Sequence, residues 1–135
     1  MALALLSPNL KSQEINLQTA IDAIEHESYT KALQFLKKAQ EHPETKDQAR
    51  TWYWRGKLMA KIAKARPKKL DDRVKDPVKE GLQAVEKCRK LDKNGRFEEK
   101  VASLKKWLEK LSSNKTGMVP IFDRYEEIEQ KAYLA

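Results

Sequence analysis

Cysteine is nearly absent from this chain: Cys88 stands alone, so an internal disulfide and any site built from several thiolates are excluded. Glycine and proline are sparse as well, four and five in 135 residues, and no Gly-rich phosphate loop or nucleophile elbow can be assembled from them. Aromatic residues make up 7%. β-branched residues are few, and no stretch alternates with the period of two that a half-buried strand needs. No run approaches the roughly 18 apolar residues of a membrane-spanning helix. The opening Ala2-Leu3-Ala4-Leu5-Leu6-Ser7 lacks a basic leader and is too short for a complete signal peptide. Two readings of it stay open. One is the tail of a truncated signal, with Leu10 to Gln13 as a cleavage region and export as the consequence; the other is a weakly packed N-terminal segment of a cytoplasmic protein.

What is present is helical in character. Charged residues form 36% of the chain and apolar ones 40%, dominated by Ala, Leu, Lys, Glu and Gln, all strong helix formers. The length suits a single domain or a short repeat array. Twenty-eight basic residues against 20 acidic ones give +8, which favours an acidic partner: a protein segment, nucleic acid or an anionic surface. Acidic residues are interspersed almost everywhere, so most of this charge reads as solvated helix surface.

Punctuation divides the chain into five or six helices. The first spans about Leu10 to His26, with Leu17, Ala20, Ile21 and Ile24 at helical spacing. Ser28 is placed to cap the second, whose stripe of Ala32, Leu33, Leu36 and Ala39 runs to Pro43. Thr45 and Asp47 are read as opening a third, through Trp52, Tyr53, Leu58, Met59 and Ile62, which fades at Arg66-Pro67. Residues 66–75 form a charged loop. Asp76-Pro77 then gives a strong start, N-cap followed by proline at the first helical position. Leu82, Val85, Cys88 and Leu91 line that fourth helix, and Asn94-Gly95 closes it. A fifth runs from about Phe97 to Leu111, and a sixth is predicted around Tyr125 to Leu134, bounded by Pro120.

Within this order there is a repeat. Trp52, Arg55, Gly56 and Met59 spell W-x2-R-G-x2-M, which resembles the W-x2-L-G-x2-Y of the tetratricopeptide family. Met59 is an apolar substitute, and Arg55 departs from the family's Leu. Tyr29, Ala32, Leu36, Ala39 and Pro43 resemble that family's second helix and its terminating proline. Ala20 and Gly56 are 36 positions apart, near the family period of about 34. Gly81, Val85 and Cys88 repeat the spacing of Ala32, Leu36 and Ala39, and a poorer third copy begins near Gly117. The resemblance covers residues 13–64 best and 76–92 more weakly. It implies an all-α fold, antiparallel helix hairpins stacked as a short right-handed superhelix, in one domain of residues 1–135 with a flexible segment at 1–9. Small residues at Ala20, Ala32, Gly56 and Gly81 would let paired helices approach, while Trp52 and Leu36 fill the space between hairpins.

The resemblance also implies a function: a non-enzymatic scaffold binding a protein or peptide in the concave groove lined by the first helix of each pair. Carried onto this sequence, the groove positions are Arg50, Tyr53, Trp54, Lys57 and Lys61, with Gln18 and Ile21 from the first repeat. Trp52 and Trp54 lie about 200° apart around a helix, so burial of Trp52 presents Trp54 outward as an anchor. The paired Lys and Asn with which some members clamp a C-terminal carboxylate are missing, Leu17 and Ile21 standing in their places.

A second candidate surface is the basic run at Lys61, Lys64, Arg66, Lys68, Lys69, Arg73 and Lys75, opposed by Asp71 and Asp72. As an anion-binding loop it would hold phosphates in a salt-sensitive, sequence-blind way, and it supports the alternative of a nucleic-acid-binding helical domain. It carries no interleaved aromatics for stacking and no recognition-helix motif, so nucleic acid is the weaker partner. A further alternative is a structural or self-associating fragment of a longer repeat protein. Catalysis finds no footing. His26 and His42 stand near helix ends without motif partners, and the adjacent pairs Asp71-Asp72 and Glu126-Glu127 diverge. No cofactor or metal site is implied.

Overall fold

The computed structural model describes residues 8–67 and 73–113, with side chains from Glu14 onward. Five helices make it up: α1 (Pro8–Glu25), α2 (Tyr29–Glu41), α3 (Ala49–Ala65), α4 (Pro77–Leu91) and α5 (Glu98–Ser113). Among the described residues there is no strand, so the fold is all-α. The third copy near Gly117 and the helix around Tyr125 lie outside the described residues.

Each break has a local cause. α1 ends with Glu27 in the left-handed region at φ 60°, where Ser28 N–H donates to Ala23 C=O (2.8 Å) and Glu27 N–H to Ile24 C=O (3.1 Å). This is the paired closure of a Schellman turn, with Glu in the place glycine usually takes. Ser28 occupies the N-cap position of α2 but makes no side-chain cap bond. α2 stops at His42, ahead of Pro43. Thr45 does not open α3 as predicted. It is buried and its hydroxyl donates to Ala39 C=O, tying the turn back to α2, and α3 starts at Ala49 after Gln48. Asp76 caps α4 by accepting from Lys79 N–H at 3.1 Å, with Pro77 just inside. After α4, the Asp92 carboxylate accepts from Arg96 N–H (3.0 Å) and Phe97 N–H (2.8 Å) across a turn in which Gly95 takes φ 68°. That turn fixes where Phe97 enters α5.

The helices pack as two hairpins, α1 with α2 and α3 with α4, and α5 lies against both α4 and α3. Apolar side chains divide into two clusters that share α3. The first joins Leu17, Ala20, Ile24, Ala32, Leu36 and Ala39 to Leu58, Met59 and Ile62, with Val74 from the loop inserted. The second joins Tyr53 and Ala60 to Val78, Val85 and Cys88 of α4 and to Val101, Leu104, Trp107 and Leu108 of α5. The four small residues are all buried, and at the two glycines the tightest contact is with α5 rather than with the paired helix. Ala20 and Ala32 are wholly buried in the first cluster. A Cβ on Gly56 would lie 3.0 Å from Leu104 Cδ2 and 3.1 Å from Val85 Cγ2. One on Gly81 would lie 2.7 Å from Leu108 Cδ2 and 3.1 Å from Met59 Cβ.

Trp52 is not the core residue it was expected to be. It is half-buried at the rim of the second cluster, its indole N–H donating to Lys46 C=O and the Lys87 ammonium 4.1 Å above its ring. Leu58 and Met59, both wholly buried, join the first cluster from α3 instead. α3 is covered on most of its circumference, and Trp52 falls on the strip that the 43–47 turn only partly covers.

Candidate peptide-binding face

α3 touches both α1 and α5, and most of the predicted groove residues lie along α3. Arg50 Nη2 reaches Gln18 Oε1 on α1 at 3.3 Å, both side chains exposed. One turn further, the Tyr53 ring meets Trp54 edge-on (centroids 5.5 Å, 79°) and leans on Phe97, in the turn just ahead of α5 (5.4 Å, 35°). The Lys57 ammonium stands over Trp54 at 5.3 Å from the centroid and 6.0 Å from that of Tyr53. Lys100 of α5 completes the group, 5.9 Å from Tyr53 and 5.8 Å from Phe97. Lys61 is half-buried beside it on α3.

Lys57 is 8% exposed, the one buried charged side chain among the described residues. Burial pushes its ammonium below the ordinary lysine range; Lys61 and Lys100 push the same way, while Glu25 on α1 opposes them. Aromatic faces supply part of the solvation lost to burial, because their electron-rich surfaces attract a cation.

Three predicted positions differ from their expected roles. Ile21 is 4% exposed and belongs to the core, since α1 turns Leu17, Ile21 and Ile24 together toward α2 and α3. It cannot touch a partner. Tyr53 is buried, so its ring walls the site from beneath rather than standing out. Trp54 is half-buried and packs on both clusters, so it is not the outward anchor inferred from the opposition of Trp52 and Trp54. Sequence reasoning also missed Phe97 and Lys100. A signal existed: Phe97-x2-Lys100 repeats Trp54-x2-Lys57, an aromatic one turn ahead of a lysine.

The basic loop is less coherent. Lys68 and Lys69 lie outside the described residues. Arg66 holds a left-handed conformation, φ 48°, at the end of α3, and Lys64 is half-buried. Arg73 lines an open cleft of about 770 Å3 with Leu33, Lys37, Lys38 and Arg55. Most of those cations are committed: Arg55 to Glu80 (3.0 Å) and Gln40 (2.9 Å), Lys37 to Glu41 at 4.0 Å, and Lys38 over the Phe35 ring at 4.7 Å. Arg55, the departure from the family pattern, thus ties α3 to α2 and α4.

The histidines serve helix ends. His26 Nδ1–H donates to Asp22 C=O (2.7 Å), and His42 Nδ1 accepts from Glu44 N–H (3.1 Å). Among the described residues no cluster of His, Cys, Asp and Glu is placed to hold a metal ion, and no helix is long and apolar enough to cross a membrane. No family model, no curated protein and no solved structure matches the chain. The functional reading rests on the site itself.

Proposed function

We propose that the chain is a non-enzymatic protein-interaction module, its hairpins stacked as a short tetratricopeptide-like right-handed superhelix, with the α1/α3/α5 face as the groove for a segment of another protein. The observation that carries this reading is the meeting of helices distant in sequence at one cationic, aromatic-floored surface: Gln18 and Arg50, then Tyr53, Trp54, Lys57 and Lys61, then Phe97 and Lys100. Cations over a hydrophobic floor, with rings fixed by mutual packing, have the composition of an interface centre. In the packing order, α5 takes the place of the first helix of a third pair, lying on both members of the pair before it.

The test is partner binding by the intact chain. A partner isolated on the immobilised protein is purified, and its affinity is measured for Arg50→Glu and Lys61→Glu beside Lys87→Glu on α4. The first two should weaken binding about tenfold or more, with Tm changed by no more than about 3 °C, as for surface substitutions. If Lys87→Glu alone weakens binding, the face is wrongly assigned.

A further inference from the structure

The cations of this protein fall into two groups. Arg55, half-buried, is answered by Glu80 at 3.0 Å, and Lys37 and Arg89 on the surface are paired with Glu41 and Glu86. Lys57 is more deeply buried than any of these, yet among the described residues no carboxylate lies within ion-pair distance of it. Its neighbours make this worse. Lys61 lies one turn on, Lys100 flanks the same Tyr53 ring from α5, and the opposing Glu25 on α1 is exposed. A buried charge without a counter-charge is costly unless it is used. What would complete the group is an anion entering between α3 and α5.

We propose that Lys57 and Lys100 form a two-cation seat across the Tyr53 ring for the side-chain carboxylate of an Asp or Glu in the bound protein segment. The proposal rests on reading the α1/α3/α5 face as peptide-binding, and deepens it by naming the partner's chemistry as acidic. The two ammonium groups stand 6.0 and 5.9 Å from the centroid of one ring and are near enough for Lys100 to depress the Lys57 pKa, so a carboxylate entering beside them would meet both charges. The packed rings of Trp54, Tyr53 and Phe97 form an apolar floor that strengthens such contacts by limiting water. Nucleic acid fits poorly, because bases need free aromatic faces and Tyr53 is already covered by Trp54 and Phe97. A lipid surface fits no better: among the described residues Ile15 is the only large hydrophobic side chain standing exposed. The seat selects for charge. A neutral amide of the same shape would leave both lysines unanswered.

Binding also carries a proton signature. Glu25, Lys61 and Lys100 are the charged groups that act on Lys57 from α1, α3 and α5. A carboxylate added among them draws the depressed Lys57 back toward the ordinary lysine range, so binding at alkaline pH takes up a proton.

The experiment titrates the 135-residue chain, with its lysine side chains labelled for NMR, against a capped oligoglutamate peptide, its oligoglutamine isostere and inorganic phosphate. The Lys57 and Lys100 resonances should shift together with oligoglutamate, which should bind about tenfold or more tightly than oligoglutamine. Lys100→Gln, on the exposed side of the seat, and Lys57→Met should each remove most of that preference, whereas Lys87→Gln should leave it intact. Phosphate matching oligoglutamate in affinity would overturn the carboxylate assignment. If oligoglutamine moves the Trp54 and Tyr53 rings as strongly as oligoglutamate, the face binds peptide but the seat does not exist. If oligoglutamate perturbs only Lys64 and the arginines of the 66–75 loop, seat and face both fail.

Discussion

Lys57 has a thermodynamic consequence apart from any partner. Its folded-state pKa lies below the value of an ordinary lysine, 10.5, chiefly because it is buried and then because of Lys61. Between the lowered value and 10.5 the unfolded chain therefore binds more protons than the folded one, and stability rises with pH. The cost of burying this charge is fully present at neutral pH and fades as pH passes through that window. Lys57→Met keeps the stem and removes the charge, so it should raise Tm at pH 7, the advantage shrinking as pH climbs toward 10.5 and gone above it. Thermal melts of both proteins from about pH 7 to 11 check this; a gap that stays constant would refute it. Cys88 behaves oppositely in chemistry. Burial, with Asp92 adding to it, pushes its thiol up to about 11, so the native protein should resist a disulfide reagent at about pH 8 and react fully once denaturant is added. Rapid labelling of the native form would contradict this. At this scale the sequence was only partly legible. Periodicity places Trp52 and Trp54 on different sides of a helix but says nothing of which side is inward, and on a helix covered nearly all round both end up half-buried.

Helix boundaries were more legible, because their causes are local. Asp76-Pro77 and Pro43 act within one turn of themselves. Asp76→Ala removes the bond from Lys79 N–H and should cost about 1 kcal/mol in denaturant unfolding. Glu27 is the counter-example: nothing in the run His26-Glu27-Ser28 marks a left-handed residue, and only the bonds from Ser28 and Glu27 back to Ala23 and Ile24 reveal the turn. Helix-to-helix approach was legible through its small residues. Gly81→Ala places a methyl 2.7 Å from Leu108 Cδ2 and 3.1 Å from Met59 Cβ. Leu108 is wholly buried and a Cβ cannot rotate away, so α4 must shift from α3, at about 1–3 kcal/mol. A loss below measurement error would mean that the helices are less tightly apposed than described. The contribution of α5 to the site was not legible. The long insertion at 66–75 displaces the repeat register, so Phe97 and Lys100 fall outside the spacing that relates Ala20 to Gly56.

At the scale of the described residues, α3 is the helix that contributes buried side chains to both clusters. The hairpin of α1 and α2 has its apolar contacts with itself, with α3 and with Val74; α4 and α5 pack on α3 and on each other. A chain whose parts contact only their neighbours has stability close to a sum of local terms, and its ends can open separately. Leu36, wholly buried in the first cluster, offers a clean probe, since Leu36→Ala should cost about 2–5 kcal/mol. Native-state hydrogen exchange should then show protection falling steeply in α1 and α2, less in α3, and least in α4 and α5. The links that work against this partition are Arg55, bonded to both Gln40 and Glu80, and Trp54, which touches both clusters. Were they strong enough to weld the clusters, all five helices would lose protection equally. An equal loss would mean a single cooperative core, and with it would go the picture of stacked hairpins on which the shared α1/α3/α5 face depends.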